Sequence, residues 1–400
     1  MNASVFPEKS FPGGSIPFPD GLVRCLALVP DPRLARTRKH ALCDILLSAT
    51  CALLCGYDSY PDMADFCAAN LDWLRRYVPL AGGVPSHDTY RRVLGLVSPA
   101  HFGTALVLWV RSAAAEAAAG QVALDGKALR RATDAGEPVP YIVNAWSAKA
   151  HLVLGQVKVM DKENEIVAIP RLLQLLDLRG ALVSIDAIGC QTRIAAAIRR
   201  KGADYLLALK DNQPLARQEL ETFMQDAIAR GAPHVRSAHT VDKGHGRLEE
   251  RTGWVSRELD WFEDRRKWSG LACVVMVESR RTVRGKTGAT ERRMYLCSRA
   301  MSPAEALEAV RMHWGVECLH WVLDIVMDED HSRARTASAA ENLALIRRLA
   351  YNLLQRERDA TPPDRPPPRF MELIHRAARD DTFRSHLLDL SLPGPEASRA

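Results

Sequence analysis

The sequence predicts a mixed α/β protein in which an all-helical N-terminal part precedes a sheet-based core with a β-rich insertion. Three changes of pattern along the chain support this fold class. Residues 33–118 place apolar side chains at helical spacing, whereas the segment beginning at Gln121 alternates apolar and polar residues and is rich in β-branched side chains. Helical spacing returns at Ser302, after several strand-like runs. The length of 400 residues agrees with two or three structural units.

The composition is that of an ordinary globular chain with a modest basic bias. Hydrophobic residues make up 47% of the sequence and the formal net charge is +6, which is compatible with a polyanionic partner without requiring one. The nine cysteines form no CxxC pair and stand among apolar residues, so we expect reduced, buried thiols. The most apolar window, residues 40–56, contains Asp44 and is shorter than the ~20 residues that span a bilayer. We therefore expect a cytoplasmic protein without a membrane segment.

The N-terminal unit, residues 1–118, is predicted to be helical after an irregular lead-in at about residues 1–20, which is rich in Pro, Gly and Ser. Two apolar runs, ALCDILLSATCALL and FGTALVLWVRSAAAEAAA, have helical stripes. Between them Ser86 is placed to cap a helix that exposes Arg91 and Arg92 near its start. This segment resembles the opening of a recognition helix, which reads base edges in the major groove.

The core, residues 119–360, begins with three strand-like runs, QVALDGK, YIVNAWSA and HLVLGQVKV. A helix at residues 166–178, the strand ALVSIDAI, a helix at residues 190–201 and the strand DYLLALK follow. Three successive strands, then helix, strand, helix and strand, form the element order of a ribonuclease-H-like fold. In that fold the first three strands form a meander and the later strands are added through right-handed crossovers. We therefore predict a ribonuclease-H-like core.

A β-rich insertion at about residues 231–300 interrupts this core. Its strand-like runs are HVRSAHTV, RLEERTGWVS, LACVVMVES and RRMYLCS, and the charged segment between the last two is typical of an exposed hairpin. A capping box beginning at Ser302 starts a helix that we expect to continue through HWGVECLHWVLDIVMDED, and the helix AAENLALIRRLAYNLLQ completes the core. Residues 361–400 are predicted to form a proline-rich tail with one weak helix near residues 371–378.

Three acidic residues stand out among the 48 Asp and Glu residues of the chain. Asp125 closes the first predicted core strand and Asp186 closes the fourth, so adjacent strand ends would bring their carboxylates together at one edge of the sheet. Both follow apolar runs, where a carboxylate needs a cation or hydrogen bonds; a structural salt bridge or cap is the alternative for either one. Glu317 lies on a later helix between Trp314 and Trp321, two side chains that we expect to pack in the core.

Three clustered carboxylates suit two hard divalent cations, and we expect Mg²⁺, with Mn²⁺ able to replace it. Two metal ions about 3.5–4 Å apart activate an attacking oxygen and stabilise the leaving one in an in-line displacement. Other acidic residues are candidates for the third metal ligand, because Asp324 lies on the same helix face as Glu317 and residues 328–330 are also acidic. A solvated acidic helix end is the usual meaning of such a run, and Asp324 and Asp330 remain candidates for groups that support the ligands.

Six segments together carry a family likeness: DGKALR, SIDAIGCQ, DYLLALKDNQ, HGRLEER, RMHWGVECLHWVLDIVMDEDHSRAR and ENLALIRRLAYNLL. They resemble the DDE transposases of bacterial insertion sequences, in particular the H-repeat-associated (ISAs-type) group, over residues 36–354. The resemblance implies a ribonuclease-H-like catalytic domain with a β insertion before the catalytic glutamate. It also implies that the N-terminal helical unit is a transposase-associated, DNA-binding domain.

The resemblance also implies roles for individual residues. By motif position, the catalytic and metal-binding triad falls on Asp125, Asp186 and Glu317. The LKxNQ motif of the family falls on three residues that follow the fifth strand, which we expect to contact nucleic acid: Lys210, Asn212 and Gln213.

The sequence departs from the family around the glutamate. Cys318 stands where an Asn is typical, and Val310, His313 and Asp324 stand where related transposases place Tyr, Arg and Lys. A basic clamp near the scissile phosphate therefore cannot be carried over from the resemblance. These departures leave the three predicted metal ligands, Asp125, Asp186 and Glu317, unchanged.

Basic and polar side chains near these segments are expected to contact DNA phosphates and to give salt-sensitive, sequence-independent affinity. Besides the LKxNQ motif, the residues assigned to nucleic-acid contact are Lys127, Arg130, His313, Arg333, Arg91 and Arg92. A solvated face is the more usual meaning of the charged run at residues 280–286.

Together these features predict a metal-dependent DDE transposase that binds double-stranded DNA, both the inverted repeats of its element and the target. It would cut phosphodiester bonds at the ends of the element and transfer the freed 3′-hydroxyls to target phosphates, a reaction that depends on positioning and charge stabilisation. A synapse of two ends predicts a homo-oligomer of at least two copies, associated with the nucleoid when bound. The alternatives are a ribonuclease-H-like nuclease without strand transfer, and a domesticated or inactive derivative that only binds DNA.

Overall fold

One mixed sheet of ten strands organises the protein, with helices packed on its faces. The structure is a computed structural model that describes residues 21–114, 117–132, 139–159, 165–244, 246–336 and 338–389. The irregular lead-in predicted at residues 1–20 and the last part of the predicted tail lie outside the described residues, as does His245 of the HGRLEER motif.

The strands run in the order β3-β2-β1-β4-β5-β10-β8-β7-β6 across the sheet, and β9 pairs with β8 at the end of a hairpin. Their bounds are β1 (Gln121–Ala128), β2 (Tyr141–Ser147), β3 (Val153–Val159), β4 (Leu182–Ile185), β5 (Asp204–Leu209), β6 (Val235–Gly244), β7 (Arg247–Ser256), β8 (Cys273–Val283), β9 (Lys286–Thr287) and β10 (Glu291–Cys297).

The first five strands have mixed directions. β1, β2 and β3 form an antiparallel meander, whereas β4 runs parallel to β1 and β5 runs parallel to β4. The helix α7 (Glu165–Leu175) connects β3 with β4, and α8 (Thr192–Arg200) connects β4 with β5. Because parallel strands end at the same edge, residues that follow β1, β4 and β5 lie at one side of the sheet.

The predicted β insertion continues the core sheet. Its last strand, β10, pairs antiparallel with β5, so that Met294 lies opposite Leu209, and β8, β7 and β6 follow in turn. The apolar side chains Val274, Met276 and Leu296 of these strands belong to the main hydrophobic core. A return to the edge of β5 brings the insertion next to the strand ends of the core.

The N-terminal helices pack around α2, a helix that is buried along nearly its whole length, as the apolar window predicted. Ser86 caps α5, since its Oγ accepts the N–H of Thr89 at 3.3 Å, which confirms the predicted cap. The helices of this region are α1 (Leu22–Ala27), α2 (Leu42–Leu54), α3 (Tyr60–Ala69), α4 (Leu71–Leu74), α5 (His87–Leu96) and α6 (Pro99–Ala113).

The remaining helices are α9 (Pro214–Ala229), α10 (Pro303–His313), α11 (Val316–Trp321), α12 (Ala339–Asp359), α13 (Phe370–Arg379) and α14 (Asp381–Asp389). The predicted capping box of α10 is confirmed: the N–H of Ser302 donates to Glu305 at 2.6 Å and the N–H of Glu305 donates to Ser302 Oγ at 3.3 Å.

The long helix α12 joins the N-terminal helices to the sheet. The side-chain amide of Asn342 donates to the carbonyls of Leu94 and Val97 at 2.7 and 2.9 Å, and that of Asn352 exchanges hydrogen bonds with the backbone of Val153 at 2.8 and 2.9 Å. Buried residues of the N-terminal helices, the sheet and α12 form one hydrophobic core. The predicted N-terminal and core units therefore share their interior.

The predicted C-terminal tail is more ordered than the sequence indicated. Two helices, α13 and α14, replace the single weak helix, and they bury Leu373, Ile374 and Phe383 in the main core. Arg384 is buried beside the N-terminal helices, where its guanidinium donates to Asn70 Oδ1 at 2.7 Å. Proline-rich residues 361–368 misled the prediction because they only separate α12 from α13.

The described cysteines form no disulfide, and Cys318 is exposed whereas the others are buried or half-buried. In the part of the chain that the structure describes, no single helix is long and apolar enough to cross a membrane. Helices α5 and α6 taken together meet the requirement for length and composition, but they meet at an angle of 91°.

Candidate active site at one edge of the sheet

The two aspartates singled out from the sequence lie where the pairing of two neighbouring parallel strands ends, Asp125 within β1 and Asp186 directly after β4. Leu124 pairs with Ile185 in the ladder between β1 and β4, and Asp125 and Asp186 are the next residues along each strand. The side chain of Asp186 turns back to accept the N–H of Ile188 at 3.2 Å, which caps a short 3₁₀ helix. The sheet thus brings these two carboxylates to the same edge.

The loop after Asp186 is held by residues that follow β5. The side-chain amide of Asn212 donates to the carbonyls of Ala187 and Cys190, and that of Gln213 donates to Cys190 at 3.2 Å. These hydrogen bonds show that Asn212 and Gln213 hold the loop after Asp186, because the two loops lie side by side at this edge. Their contact with nucleic acid stays a prediction.

The helical segment that carries Glu317 is broken just before it. We predicted one continuous helix from Ser302, but α10 ends and α11 begins on either side of Gly315. A Cβ at Gly315 would overlap the ring of Trp146, so the close approach of this segment to β2 requires a glycine. A turn of π-helix, Val322–Val326, follows α11. The prediction of a continuous helix was wrong because periodicity does not report such contacts with the sheet.

A cavity of about 200 Å³ lies where these elements meet. The acidic, basic and imidazole side chains that line it are Asp125, Asp186, Glu317, Lys210, Arg293 and His313. The structure therefore brings the three predicted carboxylates together with two of the residues predicted to contact nucleic acid, Lys210 and His313. The sequence reasoning missed Arg293, which belongs to β10 of the insertion.

The donor chemistry of the cavity fits hard divalent cations, which prefer carboxylate oxygens. Among the described residues, Asp186 and Glu317 form no ion pair with a lysine or an arginine. No group of three His, Cys, Asp or Glu side chains in the described ranges is close enough to hold a single ion. Mg²⁺ is commonly held by one or two carboxylates, with water and phosphate oxygens in its other positions, and the carboxylates that line the cavity are ligands of that kind.

Two histidines of the α10–α11 segment are held in the neutral form. Nδ1 of His313 lies 3.0 Å from Ser184 Oγ, and burial lowers the pKa of His313 to about 4. Nδ1 of His320 lies 3.6 Å from Asp125 Oδ2, and burial, together with nearby cations, lowers the pKa of His320 to about 4. Near neutral pH neither imidazole carries the positive charge that would pair with a phosphate.

Lys127 is buried and paired with carboxylates. Its Nζ lies 2.6 Å from Asp324, 3.0 Å from Asp330 and 3.2 Å from Glu329, and its side chain is 6% exposed. The carboxylates raise the pKa of Lys127 although burial opposes them, so the ammonium stays charged. The prediction that Lys127 contacts nucleic acid is therefore corrected: three acidic side chains already satisfy its charge, and no surface is left for a phosphate.

Arg348 of α12 completes this group, and we call Lys127, Asp324, Glu329, Asp330 and Arg348 the buried charge cluster. The guanidinium of Arg348 binds both carboxylate oxygens of Glu329. Its Nε also donates to Asn144 at 3.0 Å, and Asn144 lies opposite Asp125 in the ladder between β1 and β2. The cluster thus supports β1 next to the cavity. Three of the acidic residues that are alternatives to Glu317 belong to it, namely Asp324, Glu329 and Asp330, whereas Asp328 pairs with His331.

The other cations assigned to nucleic acid are exposed and do not line the cavity. Nε of Arg130 lies 3.4 Å from Asp330, at the rim of the buried charge cluster. Arg333 lies in the loop before α12, whereas Arg91 and Arg92 lie on α5, where Arg91 pairs with Asp88 at 3.0 Å. Their contact with nucleic acid stays a prediction.

The tryptophans on either side of Glu317 do not pack in the core. Trp314 is 43% exposed and Trp321 is 58% exposed, so the expectation of core packing was wrong. The guanidinium carbon of Arg293 lies 4.4 Å from the centre of the Trp314 ring. The turn of α11 directs its apolar residues Val316 and Leu319 inward instead, which leaves the tryptophans at the surface.

Comparison with known protein families identifies the class to which this fold and cavity belong. Residues 121–353 match the family described as Transposase DDE domain, and residues 23–110 match the family described as DDE_Tnp_1-associated. The chain belongs to the DDE transposase family.

Two relatives illustrate this membership. An "Uncharacterized protein in dhlA 3'region" from Xanthobacter autotrophicus is 44% identical over 285 residues, covering 69% of this chain and 94% of the relative. The "H repeat-associated putative transposase YhhI" of Escherichia coli strain K12 is 35% identical over 344 residues, covering 84% of this chain and 91% of the relative. A solved piggyBac transposase synaptic complex with hairpin DNA gives a TM-score of 0.39 at 9% identity, over 94% of this chain and 80% of that one. A TM-score this low supports no conclusion about the present chain.

Proposed function

We propose that this chain is a metal-dependent DDE transposase that cuts DNA at the ends of its element and joins the freed 3′-hydroxyls to target DNA. One observation supports the proposal most strongly: Asp125, Asp186 and Glu317 line a single cavity where the pairing of β1 with β4 ends. The order β3-β2-β1-β4-β5, with a meander followed by two parallel strands, supports a ribonuclease-H-like core.

The proposed roles follow from the position of each side chain. Asp125 and Asp186 would bind two Mg²⁺ ions, and Glu317 would complete the second site from α11. When bound, such ions activate an attacking oxygen and stabilise the charge on the leaving one. Asn212 and Gln213 act indirectly, because they hold the loop that sets the position of the Asp186 carboxylate. Lys210, which is exposed at the rim of the cavity, would contact a DNA phosphate.

The proposed substrate is double-stranded DNA, both the terminal inverted repeats of the element and the target. The helix α5 supports binding of the repeats, because Arg91 and Arg92 lie on its exposed side near the Ser86 cap. Because two ends must be brought together, we propose that the active form contains at least two copies of the chain.

Metal binding can be tested without any reaction. We expect Mg²⁺ or Mn²⁺ to raise the melting temperature of the wild-type protein and to give a measurable heat on titration, because ions that bind only the folded state stabilise it. Asp186→Asn should lose most of both effects. Asp211→Asn is the matched control, since Asp211 is an exposed aspartate in the loop after β5 that does not line the cavity. Equal metal binding by all three proteins would contradict the assignment of Asp186.

The reaction is tested with a pre-cut duplex whose sequence is taken from the DNA flanking the gene. The wild-type protein and Mg²⁺ should join the 3′-hydroxyl of this labelled duplex to a supercoiled plasmid, and Asp186→Asn should lower the rate by at least about a thousandfold. Cutting without joining would indicate a nuclease. Binding of the duplex without either reaction, in Mg²⁺ and in Mn²⁺, would indicate a derivative that only binds DNA.

A further inference from the structure

Four neighbouring strands present charged residues in sequence at the edge that holds the cavity. Asp125 follows the last position of β1 that pairs with β4, and Asp186 directly follows β4. Lys210 directly follows β5, and Arg293 directly precedes Met294, the residue of β10 that pairs with Leu209. All four side chains line the cavity. Along the strands β1, β4, β5 and β10 the edge therefore has two acids followed by two bases.

The helical segment that faces these strands provides no cation to the cavity. His313 lies one turn before Glu317 and lines the cavity, but burial lowers the pKa of His313 to about 4 and its Nδ1 contacts Ser184. Lys127 is engaged in the buried charge cluster. Among the described residues that line the cavity, Lys210 and Arg293 are the two with a permanent positive charge.

The guanidinium of Arg293 is held in place at the cavity wall. It lies 4.4 Å from the centre of the Trp314 ring, and its Nη2 donates to the exposed Glu291 at 3.0 Å. Stacking on an aromatic ring orients the planar guanidinium while leaving its in-plane donors accessible, which suits a phosphate oxygen. A surface ion pair such as that with Glu291 is weak and can be exchanged for a phosphate at little cost.

We propose that Arg293 binds a non-bridging oxygen of the DNA phosphate that enters the cavity, and that Trp314 orients its guanidinium for this contact. The inference rests on the proposed function, since it names DNA as the ligand of the same site. The β insertion then has a direct role: it returns to the edge of β5 and delivers a cation that the α10–α11 segment lacks. Lys210 and Arg293 together would neutralise the phosphate beside the carboxylates.

The neighbouring residue Arg292 provides a matched control. Arg292 pairs with Glu278 and with Glu221 of α9 and does not line the cavity. Arg293→Gln and Arg292→Gln therefore remove the same charge from adjacent positions of one strand. Binding of the element-end duplex is measured in the Asp186→Asn background, where no DNA is cut. Melting temperatures establish that each variant is folded.

We expect Arg293→Gln to weaken binding about tenfold and to reduce the slope of log K against log salt concentration by about one, as the loss of one phosphate contact requires. Arg292→Gln should change neither by more than about twofold. Arg293→Lys should retain the salt slope but lose part of the affinity, because an ammonium neither stacks in plane nor binds two oxygens. Trp314→Leu should weaken binding about threefold with the slope retained, since the charge remains.

A neutral methylphosphonate, placed in the DNA instead of a single phosphate, identifies the phosphate that Arg293 contacts. Replacing the phosphate at the cut position should weaken binding by the Asp186→Asn protein, but should have little further effect in the protein that also carries Arg293→Gln. The inference is overturned if the methylphosphonate effect persists in full in that protein, or if Arg293→Gln and Arg292→Gln behave alike. If either result is obtained while the wild-type chain joins DNA normally, the inference about Arg293 is wrong but the proposed function is retained. A wild-type chain that binds no element-end duplex overturns both.

Discussion

Two groups of three carboxylates lie close together in this protein, and they differ in what balances their charge. Asp324, Glu329 and Asp330 surround the ammonium of Lys127, and Glu329 also binds the guanidinium of Arg348. Asp125, Asp186 and Glu317 line a cavity instead, and Asp125 also lies 3.6 Å from Nδ1 of His320. Asp186 and Glu317 form no ion pair with a lysine or an arginine in the described part of the chain.

The difference teaches how one acidic stretch of sequence divides into structural and functional residues. Residues 317–330 contain five acids, and position alone does not separate them. The structure separates them by the cations of β1 and α12, which bind Asp324, Glu329 and Asp330 but leave Glu317 at the cavity. Carboxylates that the protein itself neutralises stabilise the fold, whereas those left for an external cation are candidates for chemistry.

The largest expected effect is on the free energy of unfolding, and it distinguishes Glu329 from Glu317. Glu329 is 2% exposed, and although burial opposes it, the adjacent Arg348 and Lys127 lower the pKa of Glu329 to about 2. Glu329→Gln leaves these two buried cations with one carboxylate fewer, so we expect the free energy of unfolding to fall by about 3–5 kcal/mol. Glu317→Gln, at an exposed position, should change it by less than about 0.5 kcal/mol while abolishing DNA joining.

Chemical denaturation of both variants measures this difference, and the joining reaction measures the activity of those molecules that remain folded. A Glu317→Gln protein as unstable as Glu329→Gln would show that Glu317 belongs to the structural group. A Glu329→Gln protein of wild-type stability would show that the buried charge cluster contributes nothing to the fold.

A smaller effect, on the order of 2–3 kcal/mol for each residue, is expected from the two half-buried histidines. The folded state keeps His313 and His320 neutral down to their pKa values of about 4, whereas the unfolded chain protonates them near 6.5. The unfolded state therefore binds more protons between these values, and the free energy of unfolding should fall as the pH decreases from about 6.5 to about 4. Below about 4.5 the protonation of Glu329 in the unfolded chain adds a further loss.

Unfolding in urea at a series of pH values tests this dependence. His320→Asn should remove about half of the loss between pH 6.5 and pH 4, and the exposed His101→Asn should leave the full pH dependence in place. If the wild-type protein and His320→Asn have the same pH profile, the neutral state assigned to His320 is wrong.

The parts of the fold and site that the sequence predicted are those set by local pattern. Asp125 and Asp186 each end an apolar run, and the order of strands and helices around them fixes which strand ends are neighbours. The caps at Ser86 and Ser302 are likewise local, since each joins residues three positions apart. Such features need no knowledge of distant contacts.

The parts that the sequence did not predict depend on pairings between distant segments. Arg293 reaches the cavity only because β10 returns to pair with β5, and nothing in the run RRMYLCS specifies that partner. Lys127 follows Asp125 by two residues in the sequence, but its burial depends on Asp330, which lies 203 residues further along the chain. From the sequence alone, a lysine beside a candidate metal-binding aspartate is interpreted as a phosphate contact, because its distant partners are not known.

The smallest expected change concerns the loop that positions Asp186. Asn212→Asp keeps the size of the side chain but removes its N–H donors, so the carbonyls of Ala187 and Cys190 lose a partner and face a carboxylate instead. We expect a loss of about 1–2 kcal/mol in the free energy of unfolding. DNA joining should fall by more than this loss of folded protein explains, because the Asp186 carboxylate loses its fixed position.

The control for this variant is Asp211→Asn, an exposed change at the preceding residue that should alter neither quantity by a measurable amount. The salt dependence of DNA binding then decides how Asn212 acts. A positioning residue leaves the slope of log K against log salt concentration unchanged and lowers the rate of joining at saturating DNA, whereas a residue that contacts DNA lowers the affinity and leaves the rate at saturation nearly intact. If Asn212→Asp weakens DNA binding without slowing the saturated reaction, Asn212 contacts nucleic acid, as the LKxNQ motif predicts. Its proposed role in positioning Asp186 is then contradicted.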